Sequence, residues 1–276
     1  MPQKNNSSKR LILPVVIGGG QHSQKSSSVV PRQKTGIPGL DETLNGGLPK
    51  YALILLAGTS GIGKTLLSFQ WLFDGVKQGE NGIYISITEP LSMAARNIES
   101  MKFYDRKAIE QEKLRLVDIG ENIFDYEKID SQSLLRYIAK QVKENNAKRL
   151  VIDSITGILC AINDRTKITQ FMFELKKVLA TLGCTTILIS KVTEPNKYSV
   201  YDIEELVPDG VISLNAHFVE NQIVRNLRVV KMRGISFKSG AVIFDITSSG
   251  ALLYPKIPID RSVAATKFEN RLNTGR

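Results

Sequence analysis

Apolar residues fall into two rhythms along most of the chain. Short, nearly continuous apolar runs alternate with longer stretches in which apolar side chains recur every three or four residues. The first rhythm predicts strands at 52–57, 82–87, 114–118, 149–153 and 185–190; the second predicts helices near 64–78, 90–101, 131–145 and 165–182. Strands such as Ile83-Tyr84-Ile85-Ser86-Ile87 and Thr186-Ile187-Leu188-Ile189 carry little polar alternation, as fits a sheet covered on both faces. A short helix ahead of the first strand is stopped at Asn45-Gly46-Gly47. After Ser190 a polar loop spans 191–203 and carries Pro195 and Asn196, and strand-like runs then recur without helices at 211–214, 222–232, 241–246 and 251–254. The expected fold is α/β: a mostly parallel central sheet with helices on both faces and an antiparallel C-terminal extension.

Length and charge refine this organisation. The 276 residues suit one large domain, expected over 34–255, with tails at 1–33 and 256–276. No apolar run is long enough for a membrane span. Lys9-Arg10 ahead of the apolar run 11–17 resembles a signal peptide only superficially, because Pro14 breaks the run and no small-residue cleavage site follows. The N-terminal tail is read as disordered and the protein as cytoplasmic. Of the net charge of +10, residues 1–34 contribute +6 and residues 255–276 contribute +3, so the body is nearly neutral. The tails could tether weakly to nucleic acid or an anionic surface. Cys160 and Cys184, far apart and in apolar surroundings, are expected to be buried reduced thiols, and two histidines leave no zinc site.

The chemistry concentrates at residues 58–65, Gly58-Thr59-Ser60-Gly61-Ile62-Gly63-Lys64-Thr65, a full G-x-x-x-x-G-K-[ST] pattern between a predicted strand and a predicted helix. The glycines let backbone N–H groups close on phosphate oxygens, and the helix points its positive end at the same place. Lys64 supplies charge for the β/γ-phosphates, and Thr65 supplies a hydroxyl for Mg²⁺. Gly58 to Leu66 is therefore the candidate ATP-binding segment. A second metal-facing acid is expected at Asp153, which ends the apolar strand of Lys148-Arg149-Leu150-Val151-Ile152-Asp153. Glu89, just beyond the strand ending at Ile87, is the candidate to orient the attacking water, against the alternative of a helix N-terminal acid before Pro90.

Taken together, Gly36-Ile37-Pro38-Gly39-Leu40-Asp41, residues 58–65, Tyr84-Ile85-Ser86-Ile87-Thr88-Glu89, Val151-Ile152-Asp153-Ser154 and Lys231-Met232-Arg233-Gly234 resemble a single KaiC-type domain of the RecA superfamily over roughly residues 34–255. The resemblance implies a RecA-like P-loop core, assembly as a homo-oligomeric ring or filament, with a hexamer as the candidate ring size, and ATP bound between subunits. It implies that Lys231 and Arg233 reach the γ-phosphate on the adjacent subunit. Members of the family commonly carry two adjacent glutamates where this chain has Thr88-Glu89, so one carboxylate is missing. The adjacent Ser-Thr acceptors of KaiC's phosphorylating repeat are also missing: the matching stretch holds Glu204-Glu205, which removes the substrate of an autokinase reaction.

Three readings of function follow. The first is a slow Mg²⁺-dependent ATPase acting as an oligomeric switch on a protein partner. The second is a RadA-like recombination ATPase, supported by the basic tails but not by the loop after Ser190, which has Lys191 and Lys197 with Glu194 and no arginine. The third is an ATP-sensing module with little hydrolysis, consistent with Thr88.

Overall fold

The computed structural model describes residues 30–119, 130–193, 197–220 and 222–255. Most of the N-terminal tail, loop residues 194–196 and the C-terminal tail at 256–276 lie outside the described residues. In chain order the elements are β1 (Arg32–Gln33), α1 (Leu40–Thr43), β2 (Leu48–Pro49), β3 (Leu53–Gly58), α2 (Lys64–Lys77), β4 (Gly82–Ser86), α3 (Leu91–Arg96), α4 (Arg106–Glu110) and β5 (Leu114–Asp118). They continue with α5 (Ser131–Asn145), β6 (Arg149–Asp153), α6 (Ile155–Ile162), α7 (Arg165–Thr181), β7 (Thr185–Lys191), α8 (Ile203–Leu206), β8 (Gly210–Val219), β9 (Gln222–Met232), β10 (Ala241–Thr247) and β11 (Gly250–Tyr254).

Nine strands form one sheet in the order β11-β10-β9-β8-β3-β7-β6-β4-β5. From β8 to β5 every neighbouring pair is parallel, and β9, β10 and β11 add as an antiparallel extension. One expectation is corrected here. The run at 211–214, assigned to the antiparallel part, lies in β8 and pairs in parallel with β3, with Ile54 opposite Gly210 and Gly58 opposite Leu214. The segment from β7 to β8, with α8 in it, returns the chain to the sheet's starting edge, so β8 must run the same way as β3. The ordered region also begins earlier than residue 34: Arg32 and Gln33 pair with Pro49 and Leu48.

The strand period of two divides the core between the faces. Ile54, Leu56, Tyr84, Val151 and Ile187 pack on one side with Leu67, Phe69 and Trp71 of α2. Leu53, Leu55, Ile83, Leu150 and Ile152 pack on the other with Leu135, Ile138 and Val142 of α5 and Phe171 and Leu175 of α7. The helix expected over 90–101 is regular only to Arg96, and α6 went unpredicted because its eight residues directly follow a strand. Cys160, on α6, is exposed, contrary to the expectation from its apolar neighbours, whereas Cys184 is buried and its thiol is pushed up to about 12 by that burial.

Two ties align the elements that carry the site. Arg149, wholly buried at the start of β6, donates to the Trp71 carbonyl at 2.6 Å and to Glu80 Oε2 at 2.7 Å, and its guanidinium lies 5.2 Å from the Trp71 ring centre. It joins α2 to β6. Gln70 on α2 exchanges hydrogen bonds with Ala251 of β11, donating at 3.3 Å and accepting at 2.7 Å, which folds the antiparallel extension back over α2. None of the helices among the described residues is long and apolar enough to cross a membrane.

Candidate functional site

Parallel strands end at one edge of the sheet, and that edge is where loops between strands and helices converge. Gly58 ends β3, and residues 59–63 turn directly into α2. The glycines are there for space and for backbone angle. A Cβ on Gly58 would lie 2.7 Å from the Leu214 carbonyl, and one on Gly63 (φ +114°) would lie 2.7 Å from Ile246 Cδ1. Thr59, Ser60, Gly61 and Ile62 form the intervening loop, with Ile62 buried beneath it and Leu66 half-buried on the first turn of α2. Lys64 is 5 % exposed, and its ammonium donates to the carbonyls of Gly58 at 2.6 Å and Thr59 at 2.7 Å. Burial lowers its pKa to about 8, with the nearby Lys191 adding to the fall and the Asp153 and Glu89 carboxylates opposing it.

The structure brings the sequence candidates Asp153 and Glu89 to this loop. Asp153, the last residue of β6, accepts from Thr65 Oγ1 at 2.7 Å and from the Tyr84 hydroxyl at 2.8 Å on the same oxygen, Oδ2. Burial, with the Asp153 charge, pushes the Tyr84 phenol far above its usual range, so it stays a donor. Glu89 follows β4. Ser86 Oγ donates to the Glu89 carbonyl at 2.5 Å, and the Ile87 N–H donates to the Asp153 carbonyl at 2.7 Å, which fixes this turn beside β6. Ser60, Gly61, Gly63, Lys64, Thr65, Glu89, Asn97, Asp153 and Ile246 line a cleft of about 380 Å³, in the range of small-molecule sites.

Lys191 also lines this cleft. Sequence reasoning assigned it to the loop after Ser190, but it is the last residue of β7. Its ammonium lies 3.0 Å from Thr88 Oγ1 and 3.3 Å from Glu89 Oε1. The signal that could have found it is positional, because it ends an apolar parallel strand, as Asp153 does.

Lys231 and Arg233 are the two candidates not brought here. Lys231 is in register with Val211, which is in register with Leu55, and the Arg233 N–H bonds to the Asp209 carbonyl, level with Leu53. Five residues of strand therefore place Arg233 about 16 Å below the loop along the sheet, and two strands to the side. Lys231 instead donates to the Glu205 carbonyl at 2.5 Å and Arg233 to the Leu206 carbonyl at 3.4 Å, at the end of α8.

The family model described as "ATPase: KaiC" matches residues 33–257. This chain belongs to the KaiC ATPase family. A UPF0273 protein of Pyrococcus furiosus is 34 % identical over 239 residues, covering 82 % of this chain and 95 % of its own length. The circadian clock oscillator protein KaiC of Parathermosynechococcus lividus is 30 % identical over 231 residues, and there the match takes up 43 % of the relative's length. Among solved structures, a KaiC-like protein of Pyrococcus horikoshii superposes with a TM-score of 0.72 at 34 % identity, covering 82 % of this chain and all of that one. The KaiC family is one of P-loop ATPases, and the nucleotide-binding character of the domain follows from membership.

Proposed function

We propose that this KaiC-family domain binds ATP with Mg²⁺ in the cleft at residues 58–66 and hydrolyses it slowly as a homo-oligomer whose nucleotide state is read by a protein partner. The observation that carries the reading is the convergence of Lys64, Thr65 and Asp153 from two separate elements onto one cleft of small-molecule size. Thr65 and Asp153 offer the hard oxygen donors that suit Mg²⁺. Bound there, the ion would neutralise charge on the phosphate oxygens. The chain's own residues do the rest. Backbone N–H groups of residues 59–64 and the start of α2 hold the phosphates. Lys64 exchanges its carbonyl partners for phosphate oxygen, Tyr84 keeps Asp153 oriented, and Glu89 positions the attacking water.

Lys231 and Arg233 face away from their own loop, which supports their service to a neighbouring subunit, where a cation at the γ-phosphate stabilises developing charge. The nucleic-acid reading loses support, because Lys191, one of its two loop lysines, belongs to the cleft. Phosphate release by the full chain with ATP, with and without Mg²⁺, and molecular size with and without ATP test the proposal together. A monomer that neither assembles nor releases phosphate overturns it.

A further inference from the structure

Helices α5 and α7 pack on the same face of the sheet and run the same way, because each returns the chain to the start of a parallel strand. Between them lies an open groove of about 700 Å³, remote from the nucleotide cleft and sharing no residue with it. Leu135 and Ala139 of α5 form its floor with Val178 and Leu182 of the last turn and end of α7, each pair at the spacing of four that repeats one helix face. Leu135 is buried, and the other three are half-buried.

The rim is charged almost wholly in one sense. Arg136, Lys140 and Lys143 follow one another along α5, Lys177 stands across from them on α7, and all four are exposed. Glu174 is the one carboxylate of the lining, and it is engaged elsewhere, accepting from Gln132 Nε2 at 2.5 Å and from Gln170 Nε2 at 3.0 Å. Arg136 lies 3.7 Å from Asp130 and Lys140 lies 3.8 Å from Glu144, long pairs in solvent that hold little energy. Lys143 and Lys177 make no ion pair among the described residues. Lysines near helix C-termini complement the macrodipole whichever way they point. The dipole does not require that they flank an uncovered apolar floor, nor that they gather in a domain whose body is nearly neutral.

Charge and shape select the occupant. The chain's own tails, at +6 and +3, carry the wrong sign. None of the lining residues is aromatic, so a nucleic-acid base would find no ring to stack on. From Gln132 to Lys143 the groove follows α5 for roughly 16 Å, the length of three helical turns. We propose that it docks an acidic amphipathic helix of a partner protein. The apolar stripe of that helix covers the floor, and its flanking carboxylates meet Arg136, Lys140 and Lys143 on one wall and Lys177 on the other. The inference is independent of the nucleotide reading.

The test uses the full chain and a labelled synthetic helical peptide of about 15 residues, with leucine along one face and glutamate on both flanks. Fluorescence anisotropy measures its affinity, and hydrogen exchange locates it. The peptide should bind, should protect α5 and α7 from exchange, and should weaken as salt is raised. Binding should fall about tenfold or more in Lys140→Glu/Lys177→Glu, where like charges face the peptide, and also in Val178→Asp, which removes part of the floor and none of the cations. Lys102→Glu/Lys107→Glu, the same charge change at exposed sites outside the groove, should alter it less than about twofold. Thermal unfolding confirms that each variant is folded. Absence of binding to the wild type overturns the proposal. So does an equal loss in the Lys102/Lys107 variant, equal binding of a peptide with lysine in place of glutamate, or protection elsewhere than α5 and α7. Single-stranded DNA that binds the wild type and is lost in Lys140→Glu/Lys177→Glu would assign the groove to nucleic acid and overturn it as well.

Discussion

Thr65 Oγ1 donates to Asp153 Oδ2 across 2.7 Å, although 88 residues separate the two in the chain. One begins α2 and the other ends β6, and Arg149 and Trp71 clamp the same two elements a few residues away. The hydroxyl and the carboxylate are thus set by the packing of a helix on a sheet rather than by a local turn, as a site with demanding geometry requires.

Asp153→Asn should preserve the fold, since the amide oxygen still accepts from Tyr84 and the volume barely changes. Mg²⁺-dependent phosphate release should fall about a hundredfold or more, the scale on which single charge-stabilising groups act. Steady-state phosphate assays over a Mg²⁺ titration check this. Undiminished turnover would remove Asp153 from the metal site.

Lys64 predicts a pH dependence of binding. Burial holds its pKa near 8 in the free protein, and a bound phosphate favours the charged form. Below about pH 8 the ammonium is already present and binding needs no proton. Above that value binding must take one up, so ATP affinity should fall by at most about tenfold per pH unit. Calorimetry at pH 8.5 in two buffers of different ionisation enthalpy should report proton uptake in the wild type and none in Lys64→Met.

Arg233→Ala should leave folding and nucleotide affinity nearly intact, because Arg233 is exposed and remote from its own loop. Hydrolysis should fall by about a thousandfold or more if the cation acts across an interface. Lys64→Ala subunits keep their own Lys231 and Arg233. Mixing the two inactive proteins should therefore restore activity above the sum of the separate preparations. Mixed oligomers that form and remain inactive would refute the shared site.

Gly75→Ala should destabilise the protein although it lies within α2, where the change alone favours the helix by about 1 kcal/mol. The new methyl would sit 2.5 Å from Cδ and Nε of Arg149, which is buried and has nowhere to move without leaving Trp71 and Glu80. A net loss of about 1–3 kcal/mol is expected, from overpacking and a disturbed buried charge. Urea denaturation of the two proteins measures it.

Much of the site was legible because its parts are contiguous or lie at strand ends. Residues 58–66 carry their own signature, and the strand–loop–helix setting around them is covalent. Asp153 and Glu89 could be placed at the same edge because strands joined by helical crossovers run parallel, which brings their carboxyl ends together whatever their order. Lys191 obeyed the same rule and was missed, since a lysine next to a polar loop looks like part of the loop. Cys160 was misplaced for a related reason: apolar neighbours in sequence do not face the same way once α6 forms.

The sequence by itself determined the α/β class, the candidate phosphate loop and the edge at which the candidate site gathers, because these depend on local period and on neighbouring residues. Only the tertiary structure decided the order of the strands, and with it the distances that matter. It set β7 between the loop and Asp153, so that Lys191 faces Glu89. It paired β8 in parallel with β3, which sends β9 back toward the opposite edge and carries Arg233 away from its own loop. Strand neighbours are chosen by hydrogen bonds and packing between segments distant in the chain, and residues close in sequence carry no record of that choice.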